Sequence, residues 1–106
     1  MREYKRVRIE HPIIYTCMTS EGEIDRQGVG TALNISPNGM MVEASEAIHA
    51  KSVKIRASVG GGLNVETMAE TVYCIPHTPN KYRTGFRLSA TASEALRFTN
   101  EILKLY

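Results

Sequence analysis

A tight turn between two short apolar runs constrains the fold of this chain more than any other sequence feature. Residues 29–36 alternate apolar and polar side chains with the period of a β-strand, and residues 39–43 form a second run. Pro37 and Asn38 separate the two runs, and Gly39 completes the turn. Because proline fixes φ while asparagine and glycine tolerate positive φ, the segment predicts a tight β-hairpin.

The period of two also predicts which side chains the first of these strands presents together. Leu33 and Ile35 are expected on one face, and Asn34 and Ser36 on the opposite face. Gly39 would let another molecule approach the backbone beside these two short polar groups. The same pattern is also typical of a plain hairpin whose polar face is simply solvated.

The remaining sequence predicts further strands and then a single helix. Strand periodicity recurs in residues 11–19, 53–59, 65–75 and 82–88. Along 65–75, the side chains expected on one face are Val65, Thr67, Ala69, Thr71, Tyr73 and Ile75. Thr91 and Glu94 match a helix capping box. The apolar stripe expected after it comprises Ala92, Ala95, Leu96, Thr99, Ile102, Leu103 and Tyr106.

About six strands followed by one helix predict an all-β fold. Closure of the sheet would remove exposed strand edges, so we expect a small antiparallel β-barrel with one C-terminal α-helix. The 106 residues suit a single domain. We assign residues 1–9 to a flexible basic N-terminal arm, 11–89 to the barrel and 91–105 to the helix.

Composition and charge narrow the classes of function. Hydrophobic residues make up 42% and charged residues 23%, as in an ordinary soluble globular protein. There is no signal peptide and no apolar run of membrane-spanning length, which predicts a cytoplasmic protein without membrane insertion. The net charge of +2 is too small to indicate a polyanion partner. Basic residues do concentrate in the first eight positions, at Arg2, Lys5, Arg6 and Arg8.

Catalytic and metal-binding patterns are missing from the sequence. The two cysteines, Cys17 and Cys74, lack a CxxC spacing and are interpreted as reduced thiols. The three histidines are scattered without metal-ligand spacing, so we expect no metal and no cofactor. Asp25 is the only aspartate, and no Ser/His/Asp or Cys/His arrangement is suggested. We therefore do not expect an enzyme.

Two motifs together resemble the PilZ domain family. Residues 2–6 read RxxxR, with Arg2 and Arg6 at its ends, and residues 34–39 read NxSxxG. The run YRTGFRL at residues 82–88 is similar to the last barrel strand of that family. The resemblance covers nearly the whole chain. It implies a six-stranded antiparallel barrel with a C-terminal helix and, as in many members, binding of the bacterial second messenger cyclic di-GMP.

The resemblance also implies which residues bind this ligand. Arg2 and Arg6 would hold phosphates and guanine edges, and Asn34, Ser36 and Gly39 would line the barrel side of the nucleotide. Arg8 continues the basic run and is a possible additional contact. Arginine suits this ligand because it offers a fixed charge, a planar donor fork and a stacking face. Arg83 and Arg87, on one face of the last strand, are interpreted as surface charges or, alternatively, a second basic edge.

Three functions remain open at this stage. The first is a cyclic di-GMP receptor whose arm reorders on binding and signals to an unidentified protein partner. The second is a PilZ-like adaptor that binds no nucleotide and acts through protein contacts. The third is a barrel that binds single-stranded nucleic acid. Aromatic residues are only 7% and tryptophan is absent, whereas such binders present stacking rings, so we expect no DNA or RNA.

Overall fold

Six antiparallel strands precede one helix in the computed structural model, which describes residues 5–106. The strands are β1 (Val7–Met18), β2 (Ile24–Ser36), β3 (Gly39–Ala44), β4 (Ser52–Ser58), β5 (Asn64–Thr78) and β6 (Lys81–Leu88), and the helix is α1 (Ala92–Leu103). The strand order around the sheet is β1-β2-β3-β6-β5-β4, and β4 pairs back onto β1. The sheet therefore closes into a barrel, and the predicted all-β fold is confirmed.

The barrel interior is filled by side chains from every strand. Its largest fully buried members include Tyr15, Ile55 and Phe86. The helix packs against β5 and β2 and adds Phe98 and Ile102 to the same core. Each of these apolar side chains stabilises the fold by roughly 1.5–3 kcal/mol relative to its exposed state.

Three strands are longer than predicted. β1 begins at Val7, so residues 7–9 of the predicted arm belong to the barrel. β2 begins at Ile24, five residues before the alternating run that the sequence shows from residue 29. β5 continues through Pro76 to Thr78, and pairs there with the start of β6. The added residues of β2 and β5 are mostly exposed and show no apolar alternation. In β1, by contrast, Val7 and Ile9 alternate with Arg8 and Glu10, and Ile9 is buried in the core, so the sequence does carry a signal for this extension.

Two β-bulges overturn the predicted side-chain faces. In the β2–β3 pair Ala32 lies opposite Val42 and Asn34 opposite Met41, which leaves Leu33 as an extra residue. Ala32 and Ile35 are consequently buried, and the predicted pairing of Leu33 with Ile35 on one face is wrong.

The second bulge lies in β5, between Thr71 and Tyr73. Thr67 and Ala69 face the core as predicted, but beyond the bulge Tyr73 and Ile75 are exposed. The prediction that all six alternate residues share one face is therefore wrong, because one inserted residue exchanges the two faces.

The helix begins as predicted, and Ala95, Thr99 and Ile102 of the predicted stripe are buried. Thr91 is the N-cap, and its Oγ1 accepts a hydrogen bond from the Glu94 backbone N–H at 3.3 Å. Phe98 lies on the buried stripe and was missed, whereas Leu96 is 42% exposed. Tyr106 lies beyond the helix and is exposed. Within residues 5–106, α1 is too short to cross a bilayer.

Candidate functional site

The turn between β2 and β3 is held by the side chain of Ser36. Its Oγ accepts hydrogen bonds from the backbone N–H groups of Asn38 at 3.2 Å and Gly39 at 3.3 Å. Neither Asn38 nor Gly39 has a positive φ, so the turn does not use the conformation expected of them. Ser36 is only 2% exposed. The expectation that it projects beside Asn34 is therefore wrong, because its hydroxyl is turned towards the backbone of the turn.

Gly39 makes room for the guanidinium of Arg6. A Cβ atom at this position would lie 2.7 Å from Arg6 Nη2 and 2.5 Å from the carbonyl oxygen of Phe86 on β6. Both distances are shorter than van der Waals contact, so a larger residue would displace the arginine or the strand. The glycine is required here by close approach, not by its backbone conformation.

Asn34 holds the same guanidinium from the other side. Arg6 Nη1 donates a hydrogen bond to Asn34 Oδ1 at 3.1 Å. Arg6 immediately precedes β1, and Arg8 lies opposite Asn34 in the β1–β2 ladder. Within residues 5–106, neither arginine forms an ion pair with an acidic residue. Their charges therefore remain available to an anion at this surface.

The structure thus brings together most of the residues that the motifs single out. Arg6, Asn34 and Gly39 are in contact, and Ser36 supports the turn beneath them. Arg8 lies next to them on β1. The predicted contact of Arg2 lies outside the described residues.

An open depression of about 430 Å³ continues from Asn34 across the barrel surface. Arg8, Met41 and Arg83 line it together with Asn34. Met41 is the ladder partner of Asn34, and the bulge at Leu33 is what sets this register. The sequence identifies neither Met41 nor Arg83 as a site residue, because only the β2–β3–β6 pairing places them beside the motif.

Glu43 links this surface to the hairpin of β5 and β6. Its carboxylate accepts hydrogen bonds from Arg83 Nε and Lys81 Nζ, each at 3.3 Å. Partial burial acts to raise the pKa of Glu43, but the bonds and charges of Lys81 and Arg83 outweigh it and hold that pKa below its ordinary value. Arg87, the other arginine of this face, pairs with Glu70 at 2.9 Å. Both β6 arginines are thus partly neutralised surface charges.

Neither cysteine lines this depression, and both are free thiols. Cys17 is buried, and burial raises the pKa of its thiol. Cys74 Sγ accepts hydrogen bonds from the Ile48 backbone N–H and from the Thr84 hydroxyl. Among residues 5–106, no group of three or more His, Cys, Asp or Glu residues is arranged to bind a metal ion.

Among the solved structures that share this fold are two bacterial proteins. The chain is similar to the inhibitor of motility MotI/DgrA from Bacillus subtilis, with a TM-score of 0.70 and 13% identity over 99% of this chain and 51% of the other. It therefore spans about half the length of that protein. It is also similar to the PilZ domain of CeSA from a cellulose-synthesizing bacterium, with a TM-score of 0.61 and 17% identity over 96% and 94% of the two chains.

These likenesses show a PilZ-like fold. No family model and no curated protein matches the chain by sequence. The resemblance to the PilZ domain found in the two motifs is confirmed at the level of the fold. Arg6, the described end of the RxxxR motif, contacts Asn34 of the NxSxxG motif.

Proposed function

We propose that this chain is a cyclic di-GMP receptor domain that changes conformation on ligand binding and signals to a protein partner. One observation carries the proposal: the Arg6 guanidinium lies over Gly39 and against Asn34, on a PilZ-like barrel. Residues that are 28 positions apart in the sequence thus form one charged surface.

The chemistry of this surface fits a cyclic dinucleotide. A guanidinium binds a phosphate, or the O6 and N7 atoms of guanine, through a planar fork of donors. The Asn34 Oδ1 atom orients Arg6, and its amide NH₂ group can donate to a phosphate or a base edge. Gly39 leaves room for the Arg6 guanidinium against the barrel, which holds this cation beside Asn34.

Signalling follows from the position of Arg6 at the start of β1. Lys5 and Arg6 precede the first strand pair and are exposed. When a ligand draws Arg6 towards itself, the basic segment before β1 follows and changes the surface offered to another protein.

Titration of the protein with cyclic di-GMP by calorimetry tests this function. Arg6→Ala removes charge-assisted hydrogen bonds of about 1.5–3 kcal/mol, which corresponds to a loss of affinity of roughly tenfold to hundredfold. Arg6→Lys should recover only part of it, because an ammonium keeps the charge and lacks the planar fork.

Arg97→Ala is the matched control, since Arg97 lies exposed on α1. It should bind like the wild type. Equal losses in Arg97→Ala and Arg6→Ala would show that the site is elsewhere. A wild-type protein that binds no cyclic di-GMP would favour an adaptor that works through protein contacts alone.

A further inference from the structure

We propose that the depression lined by Arg8, Asn34, Met41 and Arg83 is a guanine subsite, in which Arg83 reads the base. The inference rests on the proposed function, because the base belongs to the same dinucleotide that Arg6 holds. It goes beyond the motif residues, since Arg83 lies on β6 and outside both motifs.

The guanidinium of Arg83 is oriented for such a contact. Its Nε donates to Glu43 at 3.3 Å, which fixes the plane of the group. Within residues 5–106, its two Nη atoms have no hydrogen-bond partner, and the side chain is 34% exposed at the depression. A fixed plane with a free pair of donors is the arrangement that binds O6 and N7 of guanine together.

The other residues that line the depression offer what else a guanine base needs, namely an apolar surface for its ring and an acceptor for its N–H groups. Met41 and Leu33 offer an apolar floor on which a flat ring can lie. Glu10 also lines the depression, and a carboxylate can accept hydrogen bonds from the N1–H and N2–H groups of guanine. Adenine lacks both O6 and the N1–H donor, so this donor and acceptor pattern discriminates against it.

The size and position of the depression agree with this use. Its volume of about 430 Å³ is in the range of small-molecule sites. It shares Asn34 with the Arg6 contact, so one dinucleotide can occupy both places. Glu43 acts here as a positioning residue, because it orients Arg83 without lining the depression itself.

The test compares cyclic di-GMP with the hybrid cyclic GMP–AMP dinucleotide and with cyclic di-AMP. The wild type should prefer cyclic di-GMP over cyclic di-AMP by more than about tenfold, since a forked base contact discriminates by roughly that factor or more. Arg83→Ala should weaken cyclic di-GMP binding about tenfold to hundredfold and should reduce the preference over the hybrid ligand.

Arg83→Lys separates base recognition from general charge. It keeps a cation that pairs with Glu43 and loses the fork, so it should remain deficient in base discrimination. Full recovery in Arg83→Lys would show a phosphate contact and would overturn the guanine subsite. Thermal unfolding of each variant reports whether the fold is intact.

The outcomes distinguish this inference from the proposed function. If Arg6→Ala loses affinity while Arg83→Ala binds all three ligands like the Arg97→Ala control, the receptor function stands and the subsite is wrong. If the wild type binds none of the three dinucleotides, both fail together.

Discussion

The three motif residues between positions 34 and 39 have different tasks, although they lie within one turn of chain. Asn34 orients the Arg6 guanidinium, and Gly39 leaves the space that this group fills. Ser36 is buried, and its hydroxyl satisfies two backbone N–H groups of the turn. Under the proposed function, its contribution to ligand binding would therefore be indirect, through the conformation of the turn.

Replacement of Ser36 tests this division. Ser36→Ala leaves two turn N–H groups without their acceptor, so we expect a loss of about 1–3 kcal/mol in the free energy of unfolding, measured by urea titration. Ser58→Ala is the control, because the Ser58 side chain is exposed at the end of β4.

Two outcomes of the Ser36 experiment are informative. A fall in the free energy of unfolding with a smaller fall in the free energy of cyclic di-GMP binding would agree with a supporting role. Unchanged stability with a large loss of affinity would show that Ser36 contacts the ligand directly.

At the scale of elements, the sequence predicts which segments are strands better than which side chains share a face. The hairpin around Pro37 and the N-cap at Thr91 follow from local chemistry, and both are confirmed. The bulges at Leu33 and before Tyr73 depend on pairing with another strand, which a period of two cannot show.

The same limit applies to the site. The contact of Arg6 with Asn34 and Gly39 agrees with the two motifs that the sequence presents. Arg83 and Met41 lie beside Asn34 only because of the register in which β2, β3 and β6 pair. From the sequence around them, Arg83 is interpreted as a surface charge or part of a basic edge, and Met41 as an apolar strand residue.

The ion pairs of Glu43 on β3 with Lys81 and Arg83 on β6 should make the free energy of unfolding depend on pH. The lowered pKa of Glu43 means that its carboxylate stabilises the fold fully above the ordinary glutamate pKa of about 4.3. This contribution is lost as the pH falls through the lower pKa of the folded state. Glu43→Gln should therefore be less stable than the wild type near pH 6 and should approach it near pH 3.

Denaturant unfolding of both proteins at several pH values measures this effect. Asp25→Asn serves as the control, because Asp25 is exposed and forms no ion pair with residues 5–106. A stability difference between wild type and Glu43→Gln that stays constant with pH would contradict the role given to the Glu43 carboxylate.

At the scale of the whole molecule, the charge balance distinguishes a small ligand from a nucleic acid. The net charge is +2, and within residues 5–106 six basic side chains pair with acidic ones. A ligand with two phosphates should therefore show a shallow salt dependence, with a slope of log affinity against log salt no steeper than about −2.

Titrations of cyclic di-GMP at several salt concentrations measure this slope. An oligonucleotide titrated in parallel is the comparison, since contacts to many phosphates give a steep slope. Affinity that rises with oligonucleotide length and falls steeply with salt would instead indicate a single-strand-binding barrel.

The pairing of β3 with β6 also determines when the ligand surface can exist during protein synthesis. Arg6, Asn34 and Gly39 leave the ribosome early, but the carbonyl oxygen that lies against Gly39 belongs to Phe86 on β6. Contacts between such distant segments form late, since most of the chain must be present before they close. A nascent chain that ends before β6 therefore carries the whole NxSxxG motif without the contact between Gly39 and Phe86. Under the proposed function, cyclic di-GMP would then bind only chains that have closed their barrel.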